Sequence, residues 1–222
     1  MNAKGHVITG ITTAATAGLV VANGDGLIMS IAAAGIAAGT SLLTSQLPDI
    51  DSPNSKISQK IPIGNWIKNV WGIIINAIIS IASVLLFVLN GTDLNSDFFK
   101  AMIICVGILS VHIGLIFLLR HRKGTHTLIA NGVIAALVLY PYFNLSLDKT
   151  YLYLATGIIA GYTAHLIYDT ATVRGCPLLY PFSTKMFHPL KFLQLKSGKY
   201  DMSGCIFSVF ILIATAIIMI FV

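Results

Sequence analysis

Glutamate is missing from this chain. All eight acidic residues among the 222 are aspartates, which excludes any site built on Glu, including the His-Glu-x-x-His metalloprotease helix. Charge of either sign is scarce: 10% of residues are charged, against roughly a quarter in a soluble domain. Cysteine is scarce too. Cys105, Cys176 and Cys205 show no C-x-x-C spacing, so a thiolate metal centre is not expected and small packing residues are. What is abundant is apolar: 56% of residues are hydrophobic and the mean hydropathy is +0.84. Such a chain cannot cover a water-facing surface, and an integral membrane protein follows.

Seven apolar segments near the roughly 20 residues needed to cross a bilayer core can be read. They are Val7–Ala22, Gly26–Leu43, Val70–Asn90, Phe98–Leu119, Thr127–Phe143, Tyr151–Thr172 and Gly204–Val222. The expected fold is all-α, a bundle of about seven transmembrane helices forming one domain over residues 1–222. No small-residue cleavage site clearly ends the first run, so it is expected to be retained. Gly35-x-x-x-Gly39 would allow close helix approach. No internal repeat is evident.

Alternating the loops puts every basic residue except Lys100 and Lys149 on one side, out of 14 in total. By the positive-inside rule that side is cytoplasmic, with the N-terminus inside and the C-terminus outside. In a membrane protein a net charge of +6 points to anionic headgroups rather than nucleic acid, which is not expected as a partner. The cytoplasmic motif loops span about 44–69, 120–126 and 173–203. Ile57–Trp71 and Leu178–Phe182 suit the membrane interface.

The remaining polar residues fall on that same side. Asp49 and Asp51 lie in Leu47-Pro48-Asp49-Ile50-Asp51-Ser52-Pro53. Its prolines rule out a helix interior and favour a rigid turn presenting hard oxygen donors. A solvated loop with capping aspartates is the plain alternative. His165 and Asp169 are one helical turn apart on one face, either a metal clamp or a buried hydrogen-bonded pair. In Arg120-His121-Arg122-Lys123-Gly124-Thr125-His126-Thr127, Gly124 permits a turn that aims both histidines at one cavity. Arg122 suits a phosphate, and Thr125 or Thr127 would cap the next helix. The basic residues here also suit simple positive-inside anchoring. His6 stands before the first helix. His112 and His188 are expected to have packing and loop roles.

Four motifs scattered along the chain thus converge on one membrane face. Mixed imidazole and carboxylate donors suit Zn²⁺, Mn²⁺ or Fe²⁺, with Zn²⁺ or Mn²⁺ expected, as one or two ions. Water activated by the metal would be the nucleophile, with a free Asp or His as proton acceptor.

Gly5-His6, Leu47-Pro-Asp-Ile-Asp51 with Ser55, His121-Arg122 with Thr125-His126-Thr127, and His165-x-x-x-Asp169 followed by Gly175 and Pro177-Leu-Leu-Tyr-Pro181 together resemble the YdjM-type, LexA-regulated membrane-bound metal-dependent hydrolases. The resemblance implies an integral inner-membrane protein. It also implies metal or catalytic roles for His6, Asp49, Asp51, His121, His126, His165 and Asp169. One departure is visible: the family's His-Arg-Gly-x-Thr-His reads His121-Arg122-Lys123-Gly124-Thr125-His126 here, with the glycine one place later.

The expected assignment is His6, Asp51, His126, His165 and Asp169 as metal ligands. Asp49, His121 and Arg122 are expected to be catalytic, and Arg122 with Lys123 to bind substrate. The expected substrate is a phosphoester or phosphoanhydride of a membrane lipid. The competing readings are a metal-ion or small-solute transporter, and a non-catalytic protein with a structural metal. The transporter should place polar residues near the bilayer midplane, where only His112 is expected. Oligomeric state is not legible.

Overall fold

The computed structural model describes residues 3–49, 124–144 and 147–189, with positions 209, 210 and 213. Among these lie four α-helices and no strand: α1 (Ala3–Val21), α2 (Leu27–Thr44), α3 (Leu128–Asn144) and α4 (Lys149–Thr170). A single turn of 3₁₀ helix, Leu47–Asp49, follows α2. Four of the seven expected segments therefore appear as helices. Val70–Asn90 and Phe98–Leu119 lie outside the described residues, as does Gly204–Val222 apart from helical Val209, Phe210 and Ile213. Among the described residues, only the stretch Leu27–Asp49 is both long and apolar enough to cross a bilayer on its own. Gly5–Val21 and Leu128–Asn144 are apolar but shorter.

The turn between α1 and α2 is Gly24-Asp25-Gly26, with both glycines at positive φ (87° and 88°). That conformation strains any residue with a Cβ. Asp148 caps α4, its carboxylate accepting from the Tyr151 N–H at 3.1 Å. Thr127 caps α3, its Oγ1 accepting from the Ala130 N–H at 3.0 Å. The Pro48 signal also reads correctly: α2 has stopped at Thr44, and the 3₁₀ turn carries Asp49 inward. One boundary differs from expectation. α1 starts before Val7, so His6 sits inside its first turns rather than ahead of it.

Helices α1, α2 and α4 pack against one another, and α3 lies against α4. Small residues set the spacing, as lipid-solvated helices require. Ala14, Ala37 and Ala160 meet at the centre of the trio. Among the described residues nothing lies within 4 Å of where Cβ atoms on the expected pair Gly35 and Gly39 would be. The close approach is made instead by Gly157 of α4, where a Cβ would sit 2.4 Å from the Ala37 carbonyl oxygen. The α2 surface that packs is the Ala33, Ala37, Ser41 and Thr44 stripe, nearly opposite the two glycines, since two residues along a helix is about 200° round it. A second core, formed by Ala130, Ile134, Tyr162, Leu166 and Cys176, joins α3 to α4 and to the loop beyond.

Candidate metal centre

The helix directions bring distant parts of the sequence to one end of the bundle. His6 enters from the start of α1 and Asp49 from the turn after α2. His126 lies just before α3, and His165 and Asp169 lie in the last turns of α4. All five are buried, from 0% exposure for His126 and His165 to 6% for Asp49.

His126 Nε2 is the hub. It lies 3.3 Å from Asp169 Oδ2, 3.4 Å from Asp49 Oδ1 and 3.3 Å from His165 Nε2. His165 Nε2 lies 3.8 Å from Asp49 Oδ1 and 4.0 Å from Asp169 Oδ2. His6 Nε2 is 3.5 Å from Asp169 Oδ1, and its ring stacks on His165 with centroids 3.8 Å apart. Burial alone would depress the His126 imidazolium, but the Asp169 and Asp49 carboxylates outweigh it and raise its pKa to about 9. Two buried carboxylates facing imidazoles thus draw positive charge between them, as a proton or as a metal ion.

The donor set fits a metal. Ligand atoms held about 2.0–2.1 Å from a tetrahedral ion are about 3.4 Å from one another, close to the 3.3–3.5 Å separations around His126 and between His6 and Asp169. Two buried groups meet the requirement, His6 with Asp49 and His165, and His126 with His165 and Asp169. They share His165. Among the described residues, buried Asp49 Oδ1 has no well-formed hydrogen bond, the His126 ring facing it at 3.4 Å, which suits an atom meant for a cation.

A second layer orients the rings. The Ser45 carbonyl oxygen lies 2.7 Å from His165 Nδ1 and accepts its proton, leaving Nε2 with its lone pair toward the carboxylates. Thr125 Oγ1 lies 2.8 Å from His126 Nδ1 and does the same for that ring when it accepts. The loop carrying His126 is itself tied down. Tyr162 Oη donates to the Thr125 carbonyl at 2.6 Å, and Cys176 Sγ donates to the His126 carbonyl at 2.9 Å.

Of the sequence-derived site residues, the structure brings together His6, Asp49, His126, His165 and Asp169. Asp49, read from sequence as a catalytic group apart from the ligands, has its Oδ1 among the donor atoms. Asp51, His121, Arg122 and Lys123 lie outside the described residues. His188 is apart from the cluster, its Nδ1 donating to the Met186 carbonyl. Sequence reading missed Ser45, Tyr162 and the use of Cys176. Tyr162 alone left a signal, standing one turn before His165 on α4.

No curated protein and no solved structure matches the chain. The family model described as YdjM inner membrane protein matches residues 1–222, and the chain, matched from end to end, belongs to that family.

Proposed function

We propose that this chain is a metal-dependent hydrolase whose site opens to the cytoplasmic face of the membrane, acting on a phosphoester or phosphoanhydride of a lipid. One observation carries the reading. Three histidines and two aspartates from four separate stretches meet with their donor atoms 3.3–4.0 Å apart, away from water. A buried polar cluster in a membrane protein is expensive to keep and marks function by default.

His6, His126, His165 and Asp169 would hold one or two divalent ions, zinc or manganese by donor type. Bound there, such an ion supplies Lewis-acid polarisation of a phosphoryl oxygen and a more acidic water. The residues do the rest. The Ser45 carbonyl fixes the His165 ring. Tyr162 and Cys176 hold the His126 loop. Asp49 Oδ1 accepts the proton of the attacking water as the new P–O bond forms and the bond to the leaving oxygen breaks. Arg122 and Lys123, on the approach to Gly124, would neutralise the phosphoryl oxygens, Arg122 bidentately.

The test separates ligand from base. Purified wild type should carry transition metal, and release phosphate or headgroup from lipid in a chelator-sensitive reaction. His126→Ala and Asp169→Asn should lose both metal and turnover. Asp49→Asn should keep metal and lose about 10²-fold or more in rate, the scale of removing a positioned base. Loss of metal from Asp49→Asn makes it a ligand. Wild type holding no more metal than His126→Ala defeats the metal centre itself.

A second reading is favoured by one observation, the burial of all five side chains. Structural metal sites are closed, whereas catalytic ones keep a position open. Stoichiometric metal with no turnover on any lipid phosphoester would select that reading.

A further inference from the structure

The stretch after α4 does not trail away from the bundle. It is folded into a loop closed by a pair of backbone hydrogen bonds: the Cys176 N–H donates to the Phe187 carbonyl at 3.0 Å, and the Phe187 N–H to the Cys176 carbonyl at 2.8 Å. The base is fixed to the metal centre's own scaffold. The Leu128 N–H donates to the Leu178 carbonyl at 2.9 Å, and Leu178 packs on the Tyr162 and Leu166 core. Cys176 meanwhile holds the carbonyl of His126.

From this rigid base the tip presents apolar side chains outward. Phe182 is 88% exposed and Leu179 56%. Arg174, two residues before the base of the loop, and Lys185 within it are exposed cations, and residues 170–189 contain no acidic residue. A loop tip with bare Phe and Leu is a poor water-facing surface. Apolar tips flanked by cations and free of carboxylates match the layer where acyl chains meet anionic headgroups. The loop follows directly from α4 at the end of the bundle where the histidines and aspartates gather, so it lies at the level of a membrane surface.

We propose that the loop from Cys176 to Phe187 is an interfacial anchor that inserts Phe182 and Leu179 among the acyl chains of the leaflet next to the metal centre, with Arg174 and Lys185 taking anionic headgroups. The loop shares its base with the His126 turn. Its lipid contact is therefore coupled to the geometry of the site, and it gathers anionic lipid at the site's rim. The anchor does not depend on the centre being catalytic.

The experiment uses the full chain in lipid nanodiscs, with or without anionic phosphatidylglycerol. Cys105→Ser and Cys205→Ser are combined in a background that keeps buried Cys176, first shown to take up no label. Spin labels are attached at Phe182→Cys, at Asn23→Cys in the exposed α1–α2 turn as an aqueous reference, and at Ile31→Cys on exposed α2 as a lipid reference. The ratio of collisions with oxygen to collisions with a water-soluble nickel complex should be several-fold higher at position 182 than at position 23, approaching that at position 31. Adding phosphatidylglycerol should raise it further, and the Arg174→Gln, Lys185→Gln pair should abolish that increment. A nickel-accessible label at 182 overturns the anchor. So does a label shielded from both reagents, which would mean that protein covers the tip. Depth that ignores phosphatidylglycerol overturns the roles of Arg174 and Lys185. No readout involves turnover, so failure here is distinct from failure of the hydrolase reading.

Discussion

Thr9, like Thr13, breaks a habit that several hydroxyls in these helices keep. Thr12 donates to the Ile8 carbonyl, Thr16 to Thr12, Thr40 to Ile36 and Thr156 to Leu152. This is the usual way to satisfy a hydroxyl in a membrane helix. Thr9 is fully buried one turn from His6, yet among the described residues its Oγ1 has no partner, and neither has the Oγ of Ser45. An unpaired buried hydroxyl costs about 1–3 kcal/mol. Thr9→Val keeps the branched shape and deletes the oxygen, so it should raise the unfolding temperature in detergent, by the equivalent of about 1 kcal/mol. A lower melting temperature would contradict this and mean that an ordered water or ligand group satisfies Thr9.

The same scale shows what a sequence can reveal. His6, Asp49, His126, His165 and Asp169 stood out because imidazole and carboxylate groups are rare in an oily chain and costly to bury. The Ser45 carbonyl, which orients His165, could not stand out. Every residue carries a carbonyl, and only the fold decides which one meets a ring.

Among the elements, helices α1 to α4 were legible because runs of apolar residues have few other ways to satisfy their backbone in lipid, and Pro141 near the end of α3 does not stop that helix. The glycines that matter were not. A small-x-x-x-small pattern recurs at several registers in an Ala-rich helix, and the facing helix selects one. Gly157 makes its contact from α4, while Gly35 and Gly39 make none among the described residues. The far end of the bundle held another device that hydropathy hides. Asp25, in the α1–α2 turn, is paired with Lys149 at the start of α4 and accepts from Tyr153 Oη at 3.0 Å. It ties the turn to the third member of the trio.

The hydrogen bond from Lys149, then that from Tyr153, lowers the Asp25 pKa below its ordinary 3.8. A carboxyl lowered in the folded state stabilises it fully above the unfolded value, and that contribution disappears as pH falls through the folded value. Asp25→Asn should therefore lower the melting temperature by a constant amount from neutral pH down to about pH 4. The gap from wild type should close below that. A gap that widens on acidification would show that Asp25 is not held as the carboxylate. The effect should also shrink with salt, because the Lys149 side chain is largely exposed.

At the scale of the whole molecule, the two ends of the bundle differ in chemistry. One gathers His6, Asp49, His126, His165 and Asp169 and the basic loop beyond α4. The other carries Asp25, Asp148 and Lys149. α1 leaves the first end, α2 returns to it, α3 leaves it and α4 returns. Asp49 and His126 are 77 positions apart in sequence yet meet at 3.4 Å, so α2 ends and α3 begins on the same side. The proposed hydrolase has that side in the cytoplasm, as the positive-inside rule predicts. Reporter fusions after Asn23 and Phe143 should then read external, and fusions after Gln46 and Ser183 cytoplasmic. Val70–Asn90 and Phe98–Leu119, as two crossings, would return the chain to the side it left, so a fusion after Asn90 should read external and one after Leu119 cytoplasmic. With Gly204–Val222 as a seventh crossing, a C-terminal fusion reads external. A cytoplasmic C-terminus with the other fusions unchanged removes only that last span. Reversed readings at Gln46 and Ser183 would place the metal centre on the outer face, where the lipids and any soluble substrate differ, and would overturn the cytoplasmic-side hydrolase.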